Sequence, residues 1–284
     1  MNEFVHSVTL KAGSWQATVL PGFGMNMICL RCDGKAILRE PSKEQTLQQD
    51  PHVYGIPLLF PANRTAGGRF SFEGKSYQLP VNEPGLGNNL HGDLYNAPFE
   101  VIQQNEASLA AVYENHGERY PFPFRMEITD MLSEQGLTRH LRLENIGETA
   151  MPFTLAFHTA FREPKQFSVP IGRCAKRDER FLPTGKWEKL SKAEDEYRSG
   201  TSSNGRAISG FFEADGHAVK LDEIRFAVSE NFDQWILFNG GGKQGFLCIE
   251  PQCGQVNGLN IPGGHRVLEP GESETFTIYI GKNE

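Results

Sequence analysis

Apolar and polar residues alternate with a period of two along most of the chain, the spacing of strands that bury one face. Phe70 and Phe72, then Tyr77 and Leu79, alternate on either side of Glu73-Gly74-Lys75, which predicts a β-hairpin over Arg69–Leu79. Leu137, Leu141 and Leu143 share one face of a strand that Arg139 interrupts, with Thr138, His140 and Arg142 on the other face. Thr275–Ile280 predicts a closing strand after the turn Glu269-Pro270-Gly271-Glu272. Met151–Phe161 reads as one strand, with Phe153, Leu155, Phe157 and Phe161 on one side, interrupted by Thr159. Phe246–Glu250 reads as another, which Pro251 ends at once. The 30 glycines and 17 prolines are spread along the chain and punctuate short segments, as a many-stranded fold requires.

Helical signals are few. Ser42–Gln49 predicts a short helix, with Ser42 as N-cap and Gln45 completing a capping box. The polar stretch Trp187–Tyr197 suits a helix or a loop, and Ser199–Gly205 a surface loop. Strands and helices do not alternate, which disfavours a doubly wound fold, and no repeat or linker divides the sequence. The expectation is an all-β protein, a large antiparallel β-sandwich forming a single domain over residues 1–284.

Composition narrows the function classes. A chain of 284 residues with 38% hydrophobic and 22% charged residues is long enough for a full core and is not disordered in character. The net charge of −7 argues against nucleic acid or an anionic membrane surface as main partner, and suits a neutral small molecule. Five cysteines, an odd and sparse set, do not read as a disulfide framework. Cys29 and Cys32 have metal-like spacing, but three residues apart on a strand they face opposite ways, as reduced thiols. The opening MNEFVHSVTLKAGSW lacks the basic and apolar regions of a secretory leader, and no run approaches the ~18 apolar residues of a membrane span, so the expected compartment is the cytoplasm.

Four places can carry chemistry. His158 stands opposite the aromatic row of its strand, between small neighbours that leave room for a ligand; the alternative is a histidine on a solvated face. Glu250 ends an apolar strand, where partial desolvation raises a carboxyl pKa toward general-base use; the alternative is an edge charge that discourages strand pairing. His91 sits in Gly87-Asn88-Asn89-Leu90-His91-Gly92, whose glycines allow close backbone approach, although a loop histidine is also an ordinary surface residue. Asn63 and Arg64 close the apolar run Leu58–Arg64, where Arg64 offers a fork of donors to a ligand or to a surface ion pair. Gly240-Gly241-Gly242 lacks the Lys-Ser/Thr of a phosphate loop and reads as a tight turn. Gly-x-Ser-x-Gly and H-E-x-x-H are absent, so neither a nucleophile elbow nor a zincin helix is supported.

Five segments in order resemble the aldose 1-epimerase family. They are GIPLLFPANRTAGGRFSFEGKSYQLPVNEPGLGNNLHG (Gly55–Gly92), PFTLAFHTAF (Pro152–Phe161), FLPTGKW (Phe181–Trp187), CIEPQCGQVNGLN (Cys248–Asn260) and LEPGESETFTIYIG (Leu268–Gly281). The resemblance implies a galactose mutarotase-like supersandwich and an isomerase that interconverts the α and β anomers of an aldohexose without cofactor or metal. It implies catalytic roles for Glu250, His158 and His91, and substrate binding by Arg64 and Asn63. The partner it implies is a monosaccharide, for a monomer or homodimer. Two departures stand out. The family's sugar-binding aspartate has no recognisable counterpart among Asp195, Asp215, Asp222 and Asp233, and the Leu-His-Gly loop runs on as Asp-Leu-Tyr-Asn. Alternatives are a hexose-6-phosphate 1-epimerase, for which Arg69 near Arg64 is the local hint of an extra cation, and a non-catalytic carbohydrate-binding sandwich. A glycoside hydrolase needs two carboxylates across the scissile bond, and only Glu250 stands out.

Overall fold

The computed structural model describes residues 6–283; the first five residues, part of the leader reading above, and Glu284 lie outside it. Two eight-stranded antiparallel sheets dominate, with a smaller four-stranded sheet beside them. In the first sheet Glu100–Gln104, Ser108–Asn115, Phe124–Leu132 and Gly136–Asn145 form a meander, followed by Ser273–Lys282, Ile224–Val228, Ala218–Leu221 and Phe167–Ser168. The expected closing strand is there and extends to Ser273–Lys282, paired with Gly136–Asn145 through contacts such as Leu141↔Phe276. The expected all-β sandwich is what folds.

The second sheet runs Pro183–Glu188, Ile171–Arg177, Ser209–Ala214, Gln234–Phe238, Phe246–Cys253, Leu155–Phe157 and Leu58–Leu59; Ala160–Arg162 also pairs with Phe246–Cys253. Val8–Ala12, Trp15–Leu20, Asn26–Cys32 and Lys35–Ala36 make the small sheet, tied to the meander where the Trp15 indole donates to Glu134 O at 3.1 Å. The predicted hairpin forms as Arg69–Phe72 and Lys75–Gln78, with Glu73 and Gly74 at positive φ in its turn.

One apolar cluster joins the sheets, and period-two alternation feeds it: Met126, Ile128 and Leu132 stand opposite Leu143, Leu141 and Leu137 of the neighbouring strand. Arg139 does not leave that face. It lies directly opposite Asp130, both fully buried, with Nε donating to Oδ1 at 2.6 Å and Nη2 to Oδ2 at 2.8 Å. The same guanidinium donates to Met25 O at 2.8 Å and Ile56 O at 3.4 Å, and lies 5.9 Å from the Phe157 ring. A single buried ion pair therefore clamps the small sheet, the Gly55–Pro57 segment and the underside of the second sheet to the first.

Three local expectations need correction. The short helix is Glu44–Gln49, preceded by Lys43 without a side-chain cap; the Ser42 hydroxyl instead meets Thr46 Oγ1 at 3.2 Å, so no capping box forms with Gln45. The capping box occurs in the polar stretch further on, where Ser191 and Glu194 open a helix over Lys192–Asp195. Met151–Phe161 is three short strands rather than one: Met151–Phe153 pairs with Arg266–Leu268, while Leu155–Phe157 and Ala160–Arg162 join the second sheet. Pro251 does not end its strand, for a reason given below. Among the described residues no helix is long and apolar enough to cross a membrane, and all five cysteines are free.

Removing one partner of the central ion pair leaves a buried charge without compensation. Asp130→Ala is expected to cost about 3–5 kcal/mol of unfolding free energy in urea titration. The double variant Asp130→Leu with Arg139→Met should recover much of that loss, short of full recovery because Met25 O loses its donor.

Candidate active site

The second sheet turns one face toward a cavity of about 460 Å3, within the usual range for small-molecule sites. Glu250 comes from the strand Phe246–Cys253, opposite Ile236, which in turn stands opposite Phe211. These residues form the cavity floor. All five residues singled out from the sequence, Asn63, Arg64, His91, His158 and Glu250, line this one cavity.

The placement of His158 depends on Pro251. Leu155–Phe157 and Ala160–Arg162 run against Phe246–Cys253 in one continuous register, Ala156↔Gln252 and Ala160↔Cys248. Ile249 N–H donates to Thr159 O at 3.0 Å, so two residues on, an N–H at position 251 would point to Phe157 O. Proline has none. Phe157 O instead accepts the Thr159 N–H at 2.8 Å, closing a three-residue turn around His158. His158 N–H donates the other way, to Pro57 O at 2.9 Å. The strand carrying Glu250 thus continues to Cys253 because the missing donor falls where its neighbour turns. Proline here acts within a central strand at an interruption of the ladder.

The turn brings His158 Nε2 to 3.3 Å from Glu250 Oε1, with both side chains almost wholly buried. Burial raises the Glu250 carboxyl well above the usual carboxylate range, countered in part by the charge of Arg64. Burial lowers the His158 imidazole to about 3, with His52 adding to the shift. Each group resists carrying a charge alone, so the pair is best held with one proton between them. His158 Nδ1 and Glu250 Oε2 are buried without a partner, as is His91 Nδ1. Unsatisfied polar atoms gathered in one cavity are what a polar ligand would satisfy.

His91 has a left-handed backbone (φ 65°) and donates its N–H to Asn63 O at 2.7 Å. Its ring meets His158 edge-on at 5.2 Å between centroids. Burial holds it neutral, its pKa well below the ordinary imidazole value. The following Gly92 cannot be replaced: its φ is +63°, and a Cβ would lie 1.9 Å from Phe60 O. Asn63 is also left-handed (φ 56°), and its Oδ1 lies 3.5 Å from Arg64 Nη1. Arg64 is both of the things its sequence context allowed. It faces the cavity, and it makes a two-pronged ion pair with Glu83, Nε to Oε2 at 2.9 Å and Nη2 to Oε1 at 2.7 Å. Asn88 Nδ2 steadies Glu83 Oε2 at 2.9 Å.

A sequence profile of the aldose 1-epimerase family matches residues 6–281. The chain belongs to the aldose 1-epimerase family. The uncharacterised protein YphB of Escherichia coli K12 is 26% identical over 259 residues, covering 86% of this chain and 88% of that protein. Rat galactose mutarotase is 31% identical over 133 residues, covering 45% of this chain and 37% of the rat protein. Among solved structures, a galactose mutarotase-like protein from Clostridium acetobutylicum superposes with a TM-score of 0.89 at 25% identity, over 98% of this chain and 95% of that one. A putative aldose 1-epimerase from Escherichia coli K12 gives 0.84 at 22% identity, over 98% and 99% of the two chains, which shows the shared fold.

Set within this epimerase family, the cavity holds residues that sequence reasoning missed. His52 packs between His91, tilted, and Tyr95, edge-on, at 4.6 Å between centroids in each case, and its Nε2 is buried without a partner. Burial lowers its pKa to about 4. Arg177 and Phe181 also line the cavity. None of the four aspartates considered for the family's sugar-binding role lines it; Asp233 accepts from Gly254 N–H and Asp222 from Lys165 and Gln166 N–H. Arg69, offered as an extra cation, lies on a separate surface depression and donates to Gln78. Cys248 stands near the pair: one atom each of His158, Cys248 and Glu250 lie within 4.8 Å of one another. Burial raises the pKa values of both Cys248 and Glu250, so a metal held there would have to displace their protons.

The depressed imidazoles make stability depend on acid. His52 binds no proton in the folded state until well below its ordinary value of 6.5, whereas the unfolded chain protonates it there. Stability is therefore lost as pH falls below that value. His52→Phe should flatten the slope of unfolding free energy against pH by about one proton between about pH 5.5 and 4.5, read from urea titrations at several pH values.

Proposed function

We propose that the protein is an aldose 1-epimerase in activity as well as family, opening and reclosing the ring of a monosaccharide by acid–base catalysis. The observation that carries this reading is the His158–Glu250 contact at 3.3 Å, buried in a cavity lined by further unpartnered polar atoms.

Mutarotation removes a proton from the anomeric hydroxyl and delivers one to the ring oxygen. The C1–O bond to the ring breaks, C1 becomes an aldehyde carbon, the C1–C2 bond rotates, and closure on the other face reverses the transfers. In this scheme Glu250 accepts the hydroxyl proton and His158 donates to the ring oxygen. In the free protein the pair's one proton rests on the carboxyl. To react it must first pass to the imidazole, giving carboxylate and imidazolium, and ring opening returns the pair to carboxylic acid and neutral imidazole. The number of protons on the pair does not change, so the site keeps a constant net charge through the reaction. Burial favours the neutral form of each partner, which lowers the cost of the state reached when the ring opens. His91 hydrogen-bonds near the ring oxygen. Arg64, held by Glu83, and Asn63 bind sugar hydroxyls and fix orientation.

A purely sugar-binding sandwich has no use for a buried acid–base pair, whose desolvation works against folding. A glycoside hydrolase needs two opposed carboxylates, and among the described residues the only carboxylate lining the cavity besides Glu250 is Asp50, which is exposed. On this reading the protein works in the cytoplasm on a free monosaccharide, as a monomer or homodimer. The free cysteines suit a reducing compartment.

Polarimetry of freshly dissolved α-glucose and α-galactose is the test. The protein should accelerate the approach to anomeric equilibrium. Glu250→Gln should slow it by roughly 10²–10⁴-fold, with little change in urea stability because Gln imitates the protonated acid. Near-wild-type turnover by a folded Glu250→Gln variant would remove Glu250 as the base.

A further inference from the structure

Arg177 enters the cavity at the opposite end of its floor from Glu250. Across the sheet, Ser209 stands opposite Phe238 and Phe238 opposite Cys248, two residues from Glu250. Arg177 lies beside Ser209 on the next strand out, donating from Nη2 to Ser209 O at 2.8 Å and from Nη1 to Ser209 Oγ at 3.0 Å. Three strand spacings, roughly 14 Å, therefore separate its strand from that of Glu250.

The charge of this guanidinium is not balanced. Arg64 has Glu83. Among the described residues no carboxylate oxygen comes within 4.0 Å of Arg177. Asp178, next in sequence, spends Oδ1 on the N–H groups of Arg180 and Leu182. Glu194, whose charge reaches Arg177 from further away, caps the helix at Ser191. Arginine cannot shed its proton in a protein, so the charge stays.

The surroundings fix the side chain rather than neutralise it. Its guanidinium carbon lies 4.8 Å from the Phe211 ring centroid and 5.4 Å from that of Phe181. The Phe181 ring also receives Arg64, at 5.0 Å. Phe181 takes this place with a left-handed backbone (φ 58°) and a ring 41% exposed, a costly conformation for a bulky residue. Two hydrogen bonds to Ser209 leave three of the five arginine donors unspent. A fixed, half-buried cation with spare donors in a ligand cavity is an anion receptor.

We propose that the sugar bound here carries an oxyanionic substituent, a phosphate or a carboxylate, at the end remote from its anomeric carbon, and that Arg177 receives it. The inference rests on the mutarotase reading and gives it a substrate class. It assigns to Arg177 the cationic role that the sequence had suggested for Arg69. A substituent on the exocyclic carbon projects beyond the ring, which lets C1 meet Glu250 and His158 while the anion reaches toward Arg177.

Anomer exchange by NMR at low ionic strength, with glucose, glucose 6-phosphate and glucuronate, tests this and separates phosphate from carboxylate. The wild-type protein should prefer at least one anionic sugar over glucose by roughly 10–100-fold in kcat/KM, mainly through KM. The preference should shrink as salt rises. Arg177→Gln should collapse the ratio to within a few-fold of one. Arg173→Gln, on the same strand but paired with Glu213 outside the cavity, should preserve it. Equal or better turnover of glucose by the wild type, or an unchanged ratio in Arg177→Gln, overturns the inference and leaves the mutarotase reading standing. If no sugar is turned over, that reading fails and binding decides the anion site. A thermal shift given by glucose 6-phosphate or glucuronate but not glucose, and lost in Arg177→Gln, upholds it; its absence overturns it.

Discussion

The register between Phe246–Cys253 and the two short strands on its flank is the constraint on which the site depends. A carboxylate and an imidazole separated by 92 positions in the chain meet because backbone pairing brings residues 158 and 250 opposite each other. An uninterrupted ladder would hold His158 as an ordinary strand residue. The proline on the facing strand withholds one donor, and the freed carbonyl of Phe157 is taken by Thr159. The distance between the two groups is thus set by main-chain geometry rather than by flexible side chains, the kind of support that acid–base catalysis needs.

Around this pair the cavity combines groups that dry surroundings keep neutral with groups that stay charged. The imidazoles of His52, His91 and His158 are held unprotonated by burial, and the Glu250 carboxyl is held toward its acid form. The arginines keep their charge, one cancelled by Glu83 and one not. The buried carboxyl–imidazole pair lies at one end and the unbalanced positive charge of Arg177 toward the other. A ligand that is weakly polar at one end and anionic at the other fits that division better than a uniformly neutral one.

The fold was legible where the pattern was local. Alternation announced the strands, and the Glu73-Gly74-Lys75 turn announced its hairpin. Glu250 and His158 were legible as polar residues in apolar strands, made sharper by the order of the family-like segments. Pro251 was misread because proline usually ends a strand, and only the partner strand shows which donor is missing. His52, in Asp50-Pro51-His52-Val53, has no periodic context, and the ring packing that places it comes from residues distant in sequence. Glu83 and Arg177 were equally hidden, since an ion pair or its absence is a property of spatial neighbours. Ser42 had the composition of a cap without its geometry, while Ser191, in a polar stretch that the sequence left open between helix and loop, had both.

Arg139 has one further consequence. Its guanidinium holds Met25 and Ile56, and the ring it underlies belongs to Phe157, the residue before His158. The neighbouring Pro57 carbonyl anchors that imidazole's own backbone. Active-site geometry and the cohesion of the sandwich are therefore fastened by the same bolt. On heating, such a molecule has little room for a half-working form, so inactivation should coincide with global melting rather than run ahead of it.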